Sequence, residues 1–266
     1  TALLAARLLG LPALHLGSGF SLPPPVAPLP VFRDWAVAPP GFGEVAEPLV
    51  LAKLNTLLNQ RGQAPLAHLW ELFHPAQTAL CTWPELDHYA AQRPASARYL
   101  GPDCEFVPGA APQWPLGQGP KVLAYLRAGH PEIPELLRAL NASHCRTLCF
   151  MPGATAATGL PGLPNMVYSE VPLDMQSALE QASLFVGHAG HASAAQAMCK
   201  GVPCLMLPNH AEQFILARRV EACGLGINVA ALARPVDYAA LIDALLAPQG
   251  AHQVAARAFA ARLLGF

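Results

Sequence analysis

The residues able to do chemistry in this 266-residue chain crowd into one stretch, Leu184 to Val229, which reads LFVGHAGHASAAQAMCKGVPCLMLPNHAEQFILARRVEACGLGINV. Leu184-Phe185-Val186 is an apolar run of the kind that forms a buried parallel strand. It stops at Gly187-His188-Ala189-Gly190-His191-Ala192-Ser193, and a helical stretch, Ala194 to Lys200, follows at once. Small residues between a strand and a helix let a ligand approach the backbone, and the N–H groups at a helix start attract an anion. Phosphate is the natural guest.

Gly201-Val202-Pro203 resets the chain into a second apolar run, Cys204 to Leu207, which Pro208 closes. Asn209 to Gln213 is the next strand-to-helix turn. The helix after it carries Leu216, Val220 and Cys223 at helical spacing, and Gly224 is placed to stop it. Strand, polar turn and helix twice in succession form a βαβ pattern, so both polar turns should lie at the same carboxyl edge of one parallel sheet.

The ordered set His-x-Gly-x-x-Ser-x-x-Gln, Gly-Val-Pro, Pro-x-x-x-Glu-Gln and Arg-Arg-Val-Glu-x-x-Gly-x-Gly resembles the donor-binding signature of UDP-sugar-dependent glycosyltransferases. These belong to the GT-B class that includes plant and bacterial natural-product enzymes. The resemblance spans about forty-five contiguous residues. It implies that His188 bonds the β-phosphate, that Ser193 and its neighbouring amides hold the α-phosphate, and that Gly190 lets the backbone come close. Gln196 stands where the family usually has a glutamate on the ribose hydroxyls, and an amide bonds there less strongly than a carboxylate. Glu212 and Gln213 match the pair that grips the sugar. Ala192 replaces the Asn or Gly of many members. Glu170-Val171-Pro172-Leu173 falls where the family docks the base. The tryptophan and glutamine of plant members are absent there, leaving backbone groups at Val171 to read a uracil edge.

The rest of the chain must position these residues. With 53% apolar and 12% charged residues and a net charge of −1, it is globular and offers no electrostatic reason to bind nucleic acid or an anionic membrane. Seven cysteines, scattered and odd in number, fit reduced cytosolic thiols better than a disulfide framework or a zinc site. No apolar stretch nears the roughly twenty residues of a membrane span. Ala2 to Leu16 lacks the basic start and cleavage motif of a signal peptide. A helix over Ala2 to Leu9 and a strand over Ala13 to Leu16 read as the middle of an α/β domain, so the chain is expected to be an N-terminally truncated fragment.

The expected fold is α/β of GT-B type: two Rossmann-like domains with parallel sheets, the first incomplete. Residues 1–110 would be the remainder of the acceptor-binding domain and 111–266 the donor domain, joined by the Pro/Gly-rich run Val107 to Pro120. In the first domain, Ser21 to Pro48 reads as a long loop whose Phe32, Trp35 and Phe42 could line an acceptor pocket or simply pack on the surface. Val50, Leu54, Leu57 and Leu58 give an amphipathic helix ended by Gly62, and Leu80 to Thr82 a strand. In the second, strands are expected at Lys121–Leu126, Arg146–Met151 and Asn165–Tyr168, and helices at Pro134–Leu140, Pro235–Leu246 and Ala251–Leu264. Asp174 should cap a helix running through Ala182. Arg127, beyond the first of these strands, either reaches the donor phosphates or is an exposed loop arginine. Gly153 to Gly159 lacks the Lys-Ser/Thr of a P-loop and reads as a plain loop.

The resemblance implies metal-independent, inverting transfer of a hexosyl group from a UDP-sugar to a small hydroxylated acceptor, with no cofactor. No Asp-x-Asp metal pattern is present. The family's catalytic base is a histidine early in the first domain, and nothing matches it. His15 and His68 do not fit that motif, so no base is assigned. An isolated histidine at His188 would more simply be a core residue satisfied by the backbone; Gly190, Ser193, Gln196, Glu212 and Gln213 around one ligand argue for the donor site. A sugar-nucleotide epimerase and an inactive fragment that binds nucleotide or a partner are the alternatives.

Overall fold

The computed structural model describes residues 2–33, 35–37, 39–75, 77–104, 108–153 and 164–263. The chain divides into two compact units, residues 1–102 and 103–266. The Pro/Gly-rich run is tied to the second unit: the Ala110 N–H donates to Pro172 O and the Asp174 N–H to Ala110 O, both at 2.9 Å. At Gly109 an added Cβ would lie 2.3 Å from the Leu173 backbone, so only glycine permits that approach.

The second unit is built on a six-stranded sheet. Its strands are β3 (Lys121–Tyr125), β4 (Arg146–Phe150), β5 (Met166–Ser169), β6 (Leu184–Gly187), β7 (Cys204–Met206) and β8 (Gly226–Asn228). They are all parallel, in the order β5-β4-β3-β6-β7-β8. A sheet covered on both faces needs strands apolar on both faces, and β6 and β7 are buried at every position. One layer contains α3 (Ile133–Ala142), whose buried Ile133, Leu136, Leu137 and Leu140 repeat at helical spacing. They join Val122, Ala124, Val186 and Leu205 in one core. Burying each leucine stabilises the unit by about 1.5–3 kcal/mol.

Among the described residues this unit has five more helices: α4 (Met175–Leu179), α5 (His191–Cys199), α6 (Ala211–Ala222), α7 (Tyr238–Leu246) and α8 (Ala251–Leu263). Asp174 caps α4 as expected, accepting from Gln176 and Ser177 N–H groups, but the helix stops at Leu179 rather than Ala182. Helix α5 starts three residues earlier than the sequence suggests, because Gly190 takes the extended N-cap conformation (φ −65°, ψ 136°). Helix α7 starts at Tyr238, not Pro235, because the Asp237 carboxylate accepts the Ala240 N–H at 3.0 Å. Gly224, at φ 74°, ends α6 as predicted.

The first unit has less regular structure. Helices α1 (Ala2–Leu8) and α2 (Phe42–Gln60) accompany a parallel pair, β1 (Leu14–Gly17) and β2 (Gln77–Leu80). Three expectations fail here. Helix α2 begins at Phe42, so the loop ends seven residues sooner and Pro48 sits inside the helix; left-handed Gly41 (φ 70°) turns the chain into it. The helix is also only partly amphipathic: Leu58 is buried while Val50 and Leu57 are exposed. Strand β2 ends at Leu80, whose N–H and O pair with Arg98 and Leu100 rather than extending toward Thr82. The Gly153–Gly159 loop beyond Gly153 lies outside the described residues. Among the described residues no helix is long and apolar enough to cross a membrane.

Candidate donor site

Numbered within the second unit, the strand order is 3-2-1-4-5-6, and its topological switch point falls between β3 and β6. Connections leave these two neighbours in opposite directions, which opens a crevice beyond their carboxyl ends. Tyr125 and Gly187, the last residues of the two strands, pair there. A cavity of about 460 Å³ occupies this place, lined by Tyr125, by Gly190, His191, Ser193 and Gln196 of the α5 start, and by Asp103, Pro172 and Leu173.

Local sequence explains the shape. Gly187 has no room for a side chain, since a Cβ would stand 2.9 Å from the Phe185 ring. Ala189 takes a left-handed conformation, φ 57°, that a residue with a Cβ adopts at a cost. Gly190 gives α5 no side-chain cap, so the helix start is left open to an anion. The Ser193 hydroxyl donates to Gly190 O at 3.2 Å and so lies over the first turn.

His188 sits differently from the phosphate role expected of it. Its ring is buried and both nitrogens bind backbone: Nε2 lies 2.8 Å from the Arg127 N–H and Nδ1 2.7 Å from Leu207 O. A backbone N–H only donates, so Nε2 must accept and Nδ1 must carry the proton. The imidazole is therefore neutral and clamps the β3 loop to the end of β7 across the switch point. Burial, above all, pushes its pKa down; the Leu207 bond works against that and the Arg127 charge with it. His130 stacks obliquely on it, ring centroids 5.8 Å apart, and its pKa is also lowered, first by burial and then by the repulsion it would meet from a protonated His188. This is the backbone-satisfied histidine that the isolated residue would have suggested.

Of the other expected residues, Gly190, Ser193 and Gln196 come together in the cavity wall, with Gln196 buried. Glu212 and Gln213 lie at the start of α6, on the same sheet edge but outside that lining; the Gln213 Oε1 accepts the Asn209 N–H at 2.8 Å. Val171 is exposed beside the lining residues Pro172 and Leu173, and its carbonyl accepts the Ser169 hydroxyl at 2.7 Å. Arg127 has an exposed side chain and contributes its backbone N–H to His188. Tyr125, His191 and Asp103 line the cavity without having been singled out. The end of a strand already placed at the carboxyl edge was a signal for Tyr125. Asp103, which precedes the linker, carried none.

In the first unit, His15 Nδ1 donates to Phe73 O at 2.7 Å. Phe32 and Phe42 are exposed and do not line that unit's 340 Å³ cavity, which is bordered instead by His74, Thr78, Arg93 and Arg98. Among the described residues, no three His, Cys, Asp or Glu side chains are grouped to hold a metal.

Residues 153–259 match the glycosyltransferase family 28 C-terminal domain. A stretch of 49 residues is 45% identical to the NDP-glycosyltransferase YjiC of Bacillus subtilis (strain 168), covering 18% of this chain and 12% of that protein. The whole architecture is similar to CalG4, the calicheamicin glycosyltransferase (TM-score 0.70, 21% identity, 98% of this chain and 66% of that one). It is also similar to the spinosyn rhamnosyltransferase SpnG complexed with thymidine diphosphate (TM-score 0.65, 21% identity, 99% and 66%). The fold is that of a GT-B glycosyltransferase. The family 28 match takes in β5 to α8, and with them Gly190, Ser193, Gln196, Glu212 and Gln213. The GT-B resemblance drawn from the motif around His188 thus extends to the fold of the chain, which spans about two thirds of the length of these structures.

Proposed function

We propose that the second unit binds a nucleoside-diphosphate sugar and that the protein transfers its hexosyl group, with inversion, to a hydroxyl of a small and mainly apolar acceptor. The observation that carries this is the cavity at the switch point, with uncapped Gly190 and the Ser193 hydroxyl at its wall. A diphosphate there would accept bonds from the first turn of α5 and from Ser193, and its negative charge suits the helix start. The same groups would stabilise the charge that builds on the leaving diphosphate as the glycosidic bond forms, so the transfer needs no cofactor. Gln196, one turn along α5, would take the ribose. The Pro172–Leu173 segment opposite would meet the base, which we assign as uracil. A thymidine diphosphate complex of a similar structure makes thymine the pyrimidine to test beside it. Glu212 and Gln213 would reach the sugar from the neighbouring turn.

His188 then acts by position. Its clamp holds the Arg127 backbone against the switch point and keeps the rim of the crevice in place. Arg127 itself would add a charge-assisted bond to the diphosphate.

Calorimetric titration of UDP and of thymidine diphosphate into the chain tests the reading. Saturable binding that Ser193→Ala weakens about tenfold is expected, the usual loss for a hydrogen bond to a charged group. A folded protein that binds neither nucleotide would sink it. Acceptor-dependent release of UDP by the protein then separates transfer from sugar interconversion, which needs no acceptor.

A further inference from the structure

The Sγ atoms of Cys104 and Cys199 lie 3.6 Å apart although 95 residues separate them in sequence. Both side chains are half-buried, so small reagents reach them, whereas Cys145, Cys149 and Cys204 are buried. Cys104 follows Asp103, a lining residue of the donor cavity; Cys199 ends α5, one helical turn beyond Gln196, another lining residue. The pair therefore ties together two chain segments that line one cavity.

We propose that Cys104 and Cys199 form a thiol–disulfide exchange site that takes small disulfides such as oxidised glutathione, and that the resulting crosslink pins Asp103 beside the donor cavity. The Cys104 thiol bonds to Cys199 and, against burial and together with the Lys200 charge, brings the Cys199 thiol down to about 7. Cys104 is pushed up, first by that same bond and then by burial. Cys199 is thus the attacking thiolate. Its sulfur bonds to one sulfur of the small disulfide and expels the other as a thiolate. Cys104 gives its proton to that thiolate, attacks the Cys199 sulfur and releases the second small thiolate. Two protein thiols are oxidised, and one small disulfide is reduced to two thiols. Closing from 3.6 Å to a disulfide length of about 2.05 Å is within reach of side-chain rotation.

The crosslink stands without any assumption about the ligand; its effect on binding rests on the nucleotide reading. With Asp103 held among the lining residues, its negative charge stays near the diphosphate, and the oxidised chain should bind UDP at least about threefold more weakly.

The test treats the full chain with oxidised glutathione or with dithiothreitol and maps its peptides without reduction. Trypsin leaves Cys149 and Cys199 on one peptide, residues 147–200, so fragmentation must locate the bond. A Cys104–Cys199 crosslink is expected in the unmodified protein, none in Cys199→Ser, and a mixed disulfide halted on Cys199 in Cys104→Ser. Absence of the crosslink, or its appearance at Cys149, overturns the site. UDP binding equal in both redox forms overturns the coupling. A mapped crosslink in a chain that binds no UDP in either form overturns the nucleotide reading and leaves the exchange site standing.

Discussion

Each unit holds distant backbone segments together through a buried polar side chain, and the two do so in opposite charge states. In the first unit, Asp87 is fully buried and ionised. It is bonded to Arg93 at 2.8 Å, to the Tyr99 hydroxyl at 2.8 Å and to the Tyr89 N–H at 3.0 Å. Arg93 passes the tie on to Leu22 O at 2.6 Å. In the second unit, neutral His188 spans Arg127 N–H and Leu207 O. The first unit has two paired strands, one of them showing exposed Leu14 and Leu16, so little apolar burial is available and a charged network fixes its loops. The second has a core covered on both faces and needs only a neutral pin at the carboxyl edge of its sheet. A charged clamp is strong while complete and costly when broken; a neutral one costs little to bury but responds to protons near neutrality.

The largest effect follows from breaking the charged clamp. Asp87→Ala leaves the Arg93 guanidinium buried without its carboxylate and should destabilise the first unit by about 3–5 kcal/mol. Urea denaturation followed by the fluorescence of Trp70 and Trp83 would measure it. A loss below about 1 kcal/mol would mean that Arg93 swings out to water and that the network is ornamental.

Acid should sharpen the contrast. Burial alone would raise the Asp87 carboxyl, but the bond and charge of Arg93 outweigh it and the net shift is downward. A depressed carboxylate contributes stability above its ordinary pKa of about 3.9 that is lost only as pH falls through the lower folded value. His130, His188 and His191 in the second unit are all depressed, each chiefly by burial. For these the unfolded state binds more protons once pH falls below about 6.5, so stability is full above that point and declines beneath it. In the first unit His74 is depressed in the same way, chiefly by burial. Between pH 6.5 and 5 the second unit should lose more stability than the first, and the Asp87 network should hold until lower pH. Hydrogen exchange resolved by unit, with His188→Gln removing part of the second unit's slope, is the measurement. Equal slopes in both units would break the comparison.

The same difference governs what could be read from the residues alone. The strands of the second unit and the caps at Asp174 and Gly224 follow from apolar runs and turn chemistry, which act over a few residues. The cavity wall formed by Gly190, Ser193 and Gln196 was legible because one turn and one helix carry it. The start of α5 was misplaced because a run of Gly, Ala and Ser has no periodicity before Ala194, the first buried residue of the helix. The first unit was harder. Asp87, Arg93, Tyr99 and Leu22 meet across up to 71 residues of chain with no local signature. Pro48, a strong breaker by propensity, sits within α2. His188 drew attention through its motif, yet its two backbone partners come from other strands' loops, which no local pattern reveals.

Ala189 offers the smallest and most discriminating change at the neutral clamp. Its left-handed φ of 57° costs an L-residue about 1–2 kcal/mol, and glycine would remove that cost. Against this, Ala189→Gly deletes a buried methyl, about 0.8 kcal/mol, and frees the unfolded chain by about 0.4–1 kcal/mol. The contributions nearly cancel, so the variant should fall within about 0.5 kcal/mol of the parent in thermal unfolding. A loss beyond about 1 kcal/mol would show that packing of the methyl, rather than backbone conformation, sets the turn that carries His188. The neutral clamp would then depend on burial as much as on its two hydrogen bonds, and the second unit would differ from the first in charge alone.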